Sequence, residues 1–145
     1  MGTETPPTVW PADLPVARVR VARPTDKLGQ VLHFYRDGLG LTELGSFQGH
    51  AGYSGVFLGL PGERYHLEFT QHDEGSPCAA PSKDNLLVLY FESAEAVDER
   101  AARLAELGHP AVPPENPYWN AVEDSVTVED PDGWRIVLVK PHRSV

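Results

Sequence analysis

The chain has 145 residues, 41% of them hydrophobic and 23% charged, the balance of a globular protein the size of one ordinary domain. Its 21 acidic and 12 basic side chains leave a net charge of −9, which repels phosphate backbones and argues against nucleic acid as a partner. A single cysteine, Cys78, excludes an internal disulfide, and no apolar run approaches the length of a membrane span.

Residues 1–11 are polar and proline-containing, without the cationic-then-apolar order of a signal peptide. We expect a loose N-terminal arm over residues 1–13 and a cytoplasmic protein. Over residues 16–22, Val19 and Val21 alternate with Arg18 and Arg20, the period of a strand. Pro24-Thr25-Asp26 then breaks the strand and offers a helix cap. Leu28, Val31, Leu32, Phe34, Tyr35 and Leu39 have helical spacing, ended by Gly38 and Gly40. Short strands follow at residues 41–47, 55–60 and 65–70, with a turn at residues 60–63.

Residues 76–84 contain two prolines and read as a connection, in which Cys78 is an ordinary loop thiol. Residues 86–91 form an apolar strand, and Tyr90 is expected in the core. Ser93 caps a helix over residues 94–107 with Val97, Ala101, Leu104 and Leu107 on one stripe. Val112 lies in a short edge segment. Residues 125–129 and 134–139 make a hairpin whose turn, Asp130-Pro131-Asp132-Gly133, needs only turn chemistry to explain it.

Strand, helix and three strands thus occur twice, in modules 14–75 and 84–141. Neither unit alone can bury both faces of its sheet. The expected class is α+β, with paired βαβββ modules forming one cupped mixed sheet flanked by helices.

The stretch His33-Phe34-Tyr35-Arg36-Asp37-Gly38-Leu39-Gly40-Leu41, the hairpin Glu129-Asp130-Pro131-Asp132-Gly133-Trp134, and a strand ending Glu68-Phe69 between them resemble the vicinal-oxygen-chelate superfamily. That superfamily includes glyoxalase I, bleomycin-resistance proteins and extradiol dioxygenases. Arg20 to Thr25, Tyr65 to Gln71 and Asn116-Pro117-Tyr118-Trp119 look closest to its YycE-like branch. The resemblance covers roughly residues 14–141 and implies a homodimer that binds a small molecule in the cup.

Metal-dependent members carry one His, Gln or Glu ligand on the first and last strand of each module. Here those positions fall on Val16 or Arg18, on Glu68, on Asn85 or Leu86, and on Val137. One carboxylate of four does not hold a catalytic ion, so no metal cofactor is expected. His66 and Glu68, two apart on a strand, share a face, and His50 joining them would make an alternative Zn, Fe, Ni or Mn site.

Arg20 should share the concave face with Glu68. The pair reads as a salt bridge, or as an anchor in which Arg20 grips a polar ligand. Glu68 or His66 would be the acid or base of a metal-free enzyme. Tyr118 and Trp119 wall a ligand, plug the cup or touch a second subunit, and Tyr53 closes the other side. The expected ligand-binding set is Arg20, His50, Tyr53, His66, Glu68, Tyr118 and Trp119. The expected ligand is a small polar or aromatic molecule. A metal-dependent lyase, isomerase or dioxygenase, and a drug-sequestering protein of the bleomycin-resistance kind, are the competing readings.

Overall fold

The computed structural model describes residues 10–59, 65–120 and 125–141. The expected turn at residues 60–63 and most of the expected N-terminal arm lie outside these. β1, Val19–Pro24, runs parallel to β4, Tyr65–His72. β2, Thr42–His50, and β3, Tyr53–Gly59, complete an antiparallel hairpin beside it, giving the order β1-β4-β3-β2. The second sheet has the order β5-β7-β6, from Leu86–Tyr90, Ser125–Glu129 (β6) and Arg135–Val139 (β7). Its remaining strand is reduced to one bridge, Val112 to Thr127. The βαβββ order is therefore present twice, as α+β with two mixed sheets. Among the described residues the two sheets share no strand pairing: β1 ends one and β5 ends the other.

Pro24 does not interrupt β1 but closes it as its last residue. A proline is tolerated there because β1 is an edge strand, where a missing N–H breaks no ladder. The next residue resumes the ladder, Thr25 N–H donating to the Thr70 carbonyl at 2.8 Å. The first helix runs as α1, Leu28–Leu32, and continues as a π-helical turn, His33–Gly38. The Leu39 amide reaches back five residues to the Phe34 carbonyl. The helical spacing in the sequence holds, but the widened turn was not visible in it.

The β2–β3 hairpin turns on Ala51 and Gly52, both with positive φ (52° and 85°), as a two-residue turn that follows the sheet twist requires. The second helix, α2, spans Ala94–Glu106, and the Ser93 hydroxyl accepts from the Ala96 amide as its cap.

One apolar core serves both halves. Phe34 and Val31 from the first helix meet Val56, Leu58, Leu67 and Phe69 from its sheet. Val97 and Leu104 from α2 join Val128, Ile136 and Leu138 in the same cluster. Gly38 lets the helices close up, since a Cβ there would sit 2.5 Å from Leu104 Cδ2. Tyr90 departs from its expected core position and is 52% exposed. It pairs with Val139 on the sheet face turned away from Leu87 and Leu89, which are the β5 residues packed on the core.

Candidate functional site

Register decides which side chains share a face. In β4, Leu67 and Phe69 enter the core, so His66 and Glu68 take the other side. Arg20 lies opposite His66 on β1, and Phe57 lies opposite Glu68 on β3. Arg18, in the residue just before β1, reaches the same pocket. Arg18, Arg20, Leu44, Phe57 and His66 surround a half-open pocket of about 390 Å³. Arg20 Nη1 stands 3.8 Å from Glu68 Oε1, and its guanidinium carbon lies 4.3 Å from the centre of the Phe57 ring. The Glu68 side chain is 18% exposed, so this is a half-buried pair at the pocket edge.

Arg20, His66 and Glu68 are thus brought together. His50 and Tyr53 pair across the far end of the β2–β3 hairpin, where Phe47 contacts His50 and His72 contacts Tyr53. Trp119 sits in a 3-10 turn, Pro117–Asn120, and borders a separate pocket of about 220 Å³ beside Val112, Ser125 and Thr127. Its carbonyl accepts from the Ser125 hydroxyl, and Tyr118 packs edge-on against its ring. The expected binding set is therefore divided among three places. Leu44, Arg18 and Phe57 were not in that set. The alternation that placed Arg20 also reaches Arg18, and Phe57 stands between the core residues Val56 and Leu58.

A larger cavity of about 420 Å³ lies at the seam between the sheets, with Val19, Val21, Leu67, Phe69, Leu87 and Trp134 among its walls. His66 borders both this cavity and the pocket of the first sheet. Beside the seam is a buried ionic cluster. Asp130 accepts from Arg23 and, at 2.7 Å, from the Tyr35 hydroxyl, while Asp132 accepts from Arg23 at 2.9 Å and from the Thr25 hydroxyl at 2.7 Å. The Asp130 carboxylate also accepts the amides of Asp132 and Trp134. Arg23 lies against the rings of Phe69 and Trp134, one from each half. The turn that the sequence explains by turn chemistry alone is thus also the clasp between the modules.

Burial alone would lower the Arg23 pKa, but the Asp132 hydrogen bond and the Asp130 charge outweigh it and hold it above its ordinary value. Burial first, then the Asp130 charge and hydrogen bond, push Tyr35 well above the ordinary 10.0.

The four positions at which the superfamily places metal ligands do not make a donor set here. Val137 is fully buried, Val16 and Arg18 offer an apolar side chain or a cation, Asn85 and Leu86 offer at most a neutral amide, and Glu68 already faces Arg20. Among the described residues no three His, Cys, Asp or Glu side chains group closely enough to share an ion, and His50 is not brought to His66 and Glu68. A four-ligand divalent site does not fit these residues. No helix among them is long and apolar enough to cross a membrane.

Family profiles match both halves: the YycE-like N-terminal domain over residues 19–70 and the YycE-like C-terminal domain over residues 84–140. The uncharacterized protein YycE of Bacillus subtilis (strain 168) is 46% identical over 123 residues, 85% of this chain and 87% of that one. A crystal structure of a B. subtilis YycE protein of unknown function superposes with a TM-score of 0.84 at 42% identity, covering 92% of this chain and 96% of that one. Two more distant structures share the fold. Trypanothione-dependent glyoxalase I of Leishmania major has a TM-score of 0.66 at 21% identity, covering 85% of each chain. TnmS3, an antibiotic binding protein from Streptomyces sp. CB03234, has 0.58 at 24%, covering 84% of this chain and 93% of that one. With both halves matched in order, the chain belongs to the YycE-like family.

Proposed function

We propose that this protein binds a small organic molecule on the open face of its first sheet, without a bound metal ion. The observation that carries the reading is the convergence of Arg18, Arg20, Phe57 and His66, from three strands, around about 390 Å³. That volume suits a metabolite-sized ligand, and the lining is more polar than that of most such sites, with Phe57 and Leu44 as its apolar part. The same fold serves an enzyme in L. major glyoxalase I and an antibiotic binding protein in TnmS3, so fold alone does not choose between conversion and capture.

The test is a thermal-shift screen of metabolites and glycopeptide antibiotics on protein purified without a histidine tag. A hit whose stabilisation disappears in Phe57→Ala supports the site, and a hit untouched by that change moves the ligand elsewhere. Stoichiometric Zn, Fe, Ni or Mn by elemental analysis would overturn the metal-free part.

Conversion is a second reading, favoured by a carboxylate at the pocket edge. Glu68 would take a substrate proton and His66 would return one. A Glu68→Gln variant that binds but does not turn over supports this, and unchanged turnover rejects Glu68 as the base.

We also infer a homodimer. β1 and β5 each end a sheet unpaired, and Val21 on β1 is 62% exposed, a poor arrangement for a lone chain. A monomer at micromolar concentration in sedimentation rejects this.

A further inference from the structure

The lining of the pocket runs against the charge of the whole. The protein carries −9, yet among the described residues the pocket is lined by two arginines and a histidine beside Leu44 and Phe57, with no carboxylate. Two of the three are already engaged. Arg20 is met by Glu68 and by the Phe57 ring. His66 is almost fully buried. Arg18 differs: it is exposed, no carboxylate or carbonyl among the described residues accepts from it, and it lines the same pocket as Arg20 from the residue just before β1. Residues two apart stand no more than about 7 Å apart at Cα, the spacing of an extended strand. Two guanidinium groups can therefore reach a single head group from one side, with Glu68 balancing only the inner one.

Beside them part of the wall is apolar, and Leu44 in it is itself 44% exposed. Leu44 and Phe57 supply that part, and the backbone makes room. A Cβ on Gly59 would lie 3.1 Å from Leu44 Cδ1, so a side chain there would crowd Leu44 in its place. Cationic groups beside an aromatic and a branched apolar side chain select an amphipathic anion. They disfavour a cationic drug, which the negative surface would attract but these groups would repel.

We propose that the ligand is an organic anion with an aromatic or branched apolar body, its carboxylate or phosphoryl group held by Arg18 and its body resting on Phe57 and Leu44. The proposal rests on the pocket being the ligand site and adds the charge class and the anchoring residue. Arg18 determines specificity, because a guanidinium with no carboxylate partner among the described residues strengthens binding only when the ligand brings negative oxygens.

Four probes with one phenyl body and different heads test this on the full chain: benzoate, phenylphosphonate, benzyl alcohol and benzylamine, each titrated at low salt while backbone amide shifts are followed by NMR. Benzoate or phenylphosphonate should move the amides of Arg18, Arg20, Phe57 and His66, and the stronger of the two tells carboxylate from phosphoryl. Arg18→Met should weaken that probe about tenfold. Arg18→Lys should keep part of the affinity, and Lys83→Met, an equal loss of charge on the exposed connection, should change nothing. Added salt should weaken binding. If benzyl alcohol or benzylamine shifts the same amides as strongly, or if Arg18→Met binds like the parent, the anion proposal is overturned while the pocket stands. Silence from all four probes counts against the pocket itself, and the proposal falls with it.

Discussion

The two modules repeat one chain order but treat their outer sheet faces in opposite ways. In β4 of the first module, residues alternate: Leu67 and Phe69 enter the core while His66, Glu68 and Thr70 take the other face. In β7 of the second, all five residues are buried, Val137 and Val139 as completely as the core residues Ile136 and Leu138. The sequences say as much. Tyr65-His66-Leu67-Glu68-Phe69-Thr70 has period two, the mark of a strand with one open face. Ile136-Val137-Leu138-Val139 is a continuous apolar run, the mark of a strand covered on both. A paired-module fold therefore need not present two equivalent half-sites. Here the first half carries the polar pocket, and the second contributes core and, through Asp130 and Asp132, the clasp that holds the first in place.

Breaking the clasp should produce the largest effect. Asp130→Ala leaves Arg23 and the Tyr35 hydroxyl without their shared acceptor in a site where the Asp130 side chain has no exposure. Breaking a buried ion pair outright costs about 3–5 kcal/mol, and because Arg23 keeps Asp132 at 2.9 Å the loss should fall at the low end of that range. Urea unfolding at neutral pH measures it, and a loss below about 1 kcal/mol would mean the halves are joined by the apolar core alone.

Tyr35→Phe removes one donor of the same cluster and should cost less, about 1.5–3 kcal/mol for a hydrogen bond to a charged group. It also carries a pH signature. The folded pKa of Tyr35 is raised above 10.0, so the folded state keeps its proton where the unfolded chain gives it up. The associated stability is complete below pH 10.0 and is lost as pH climbs above it. The parent should therefore weaken steeply on the alkaline side, and Tyr35→Phe should flatten that limb. Parallel alkaline limbs would place the ionising group elsewhere.

These two residues also mark where sequence reasoning stops. The order of elements was readable because hydrophobic period, turn residues and the Ser93 cap are local signals. The face shared by Arg20, His66 and Glu68 was readable for the same reason. The clasp was not, since Asp130-Pro131-Asp132-Gly133 satisfies its turn without needing Arg23, Thr25 and Tyr35 more than ninety residues away. Tyr90 misled because an apolar run does not say where a strand ends its cover, and its outer face is open while that of Val139 beside it is closed. His50 and Tyr53 were misplaced relative to the pocket because β2 is irregular, with register shifts between Glu43 and Gly45 and again between Phe47 and His50.

On the open face the expected effects on stability are small, and that contrast sharpens the division between the modules. Arg20 and Glu68 are partly exposed, at 38% and 18% of their side chains, and such pairs contribute roughly 0–1 kcal/mol. Arg20→Met should therefore unfold within about 1 kcal/mol of the parent while weakening any ligand found by thermal shift. A loss comparable to that of Asp130→Ala would make the first sheet's face structural rather than a site.

The smallest effect should appear at the junction itself, on the acid side. His109 follows the end of α2, and its ring packs edge-on against Phe34 at 4.9 Å and near His33 at 6.1 Å, both on the first module's helix. Burial, then the neighbouring His33, lower its pKa below 6.5, with the Asp130 charge opposing them. A histidine depressed in this way is bound by fewer protons when folded than when unfolded, so stability is present above pH 6.5 and is lost as pH falls through the lower folded value. His109→Gln keeps a polar side chain but removes the titration. Between neutral pH and the onset of carboxylate protonation it should lose less stability than the parent, and His33→Gln should show part of the same relief. If both variants follow the parent down that limb, the acid sensitivity belongs to another group, and the contact between α2 and the first helix is held by Phe34 and Leu104 packing without a contribution from proton linkage.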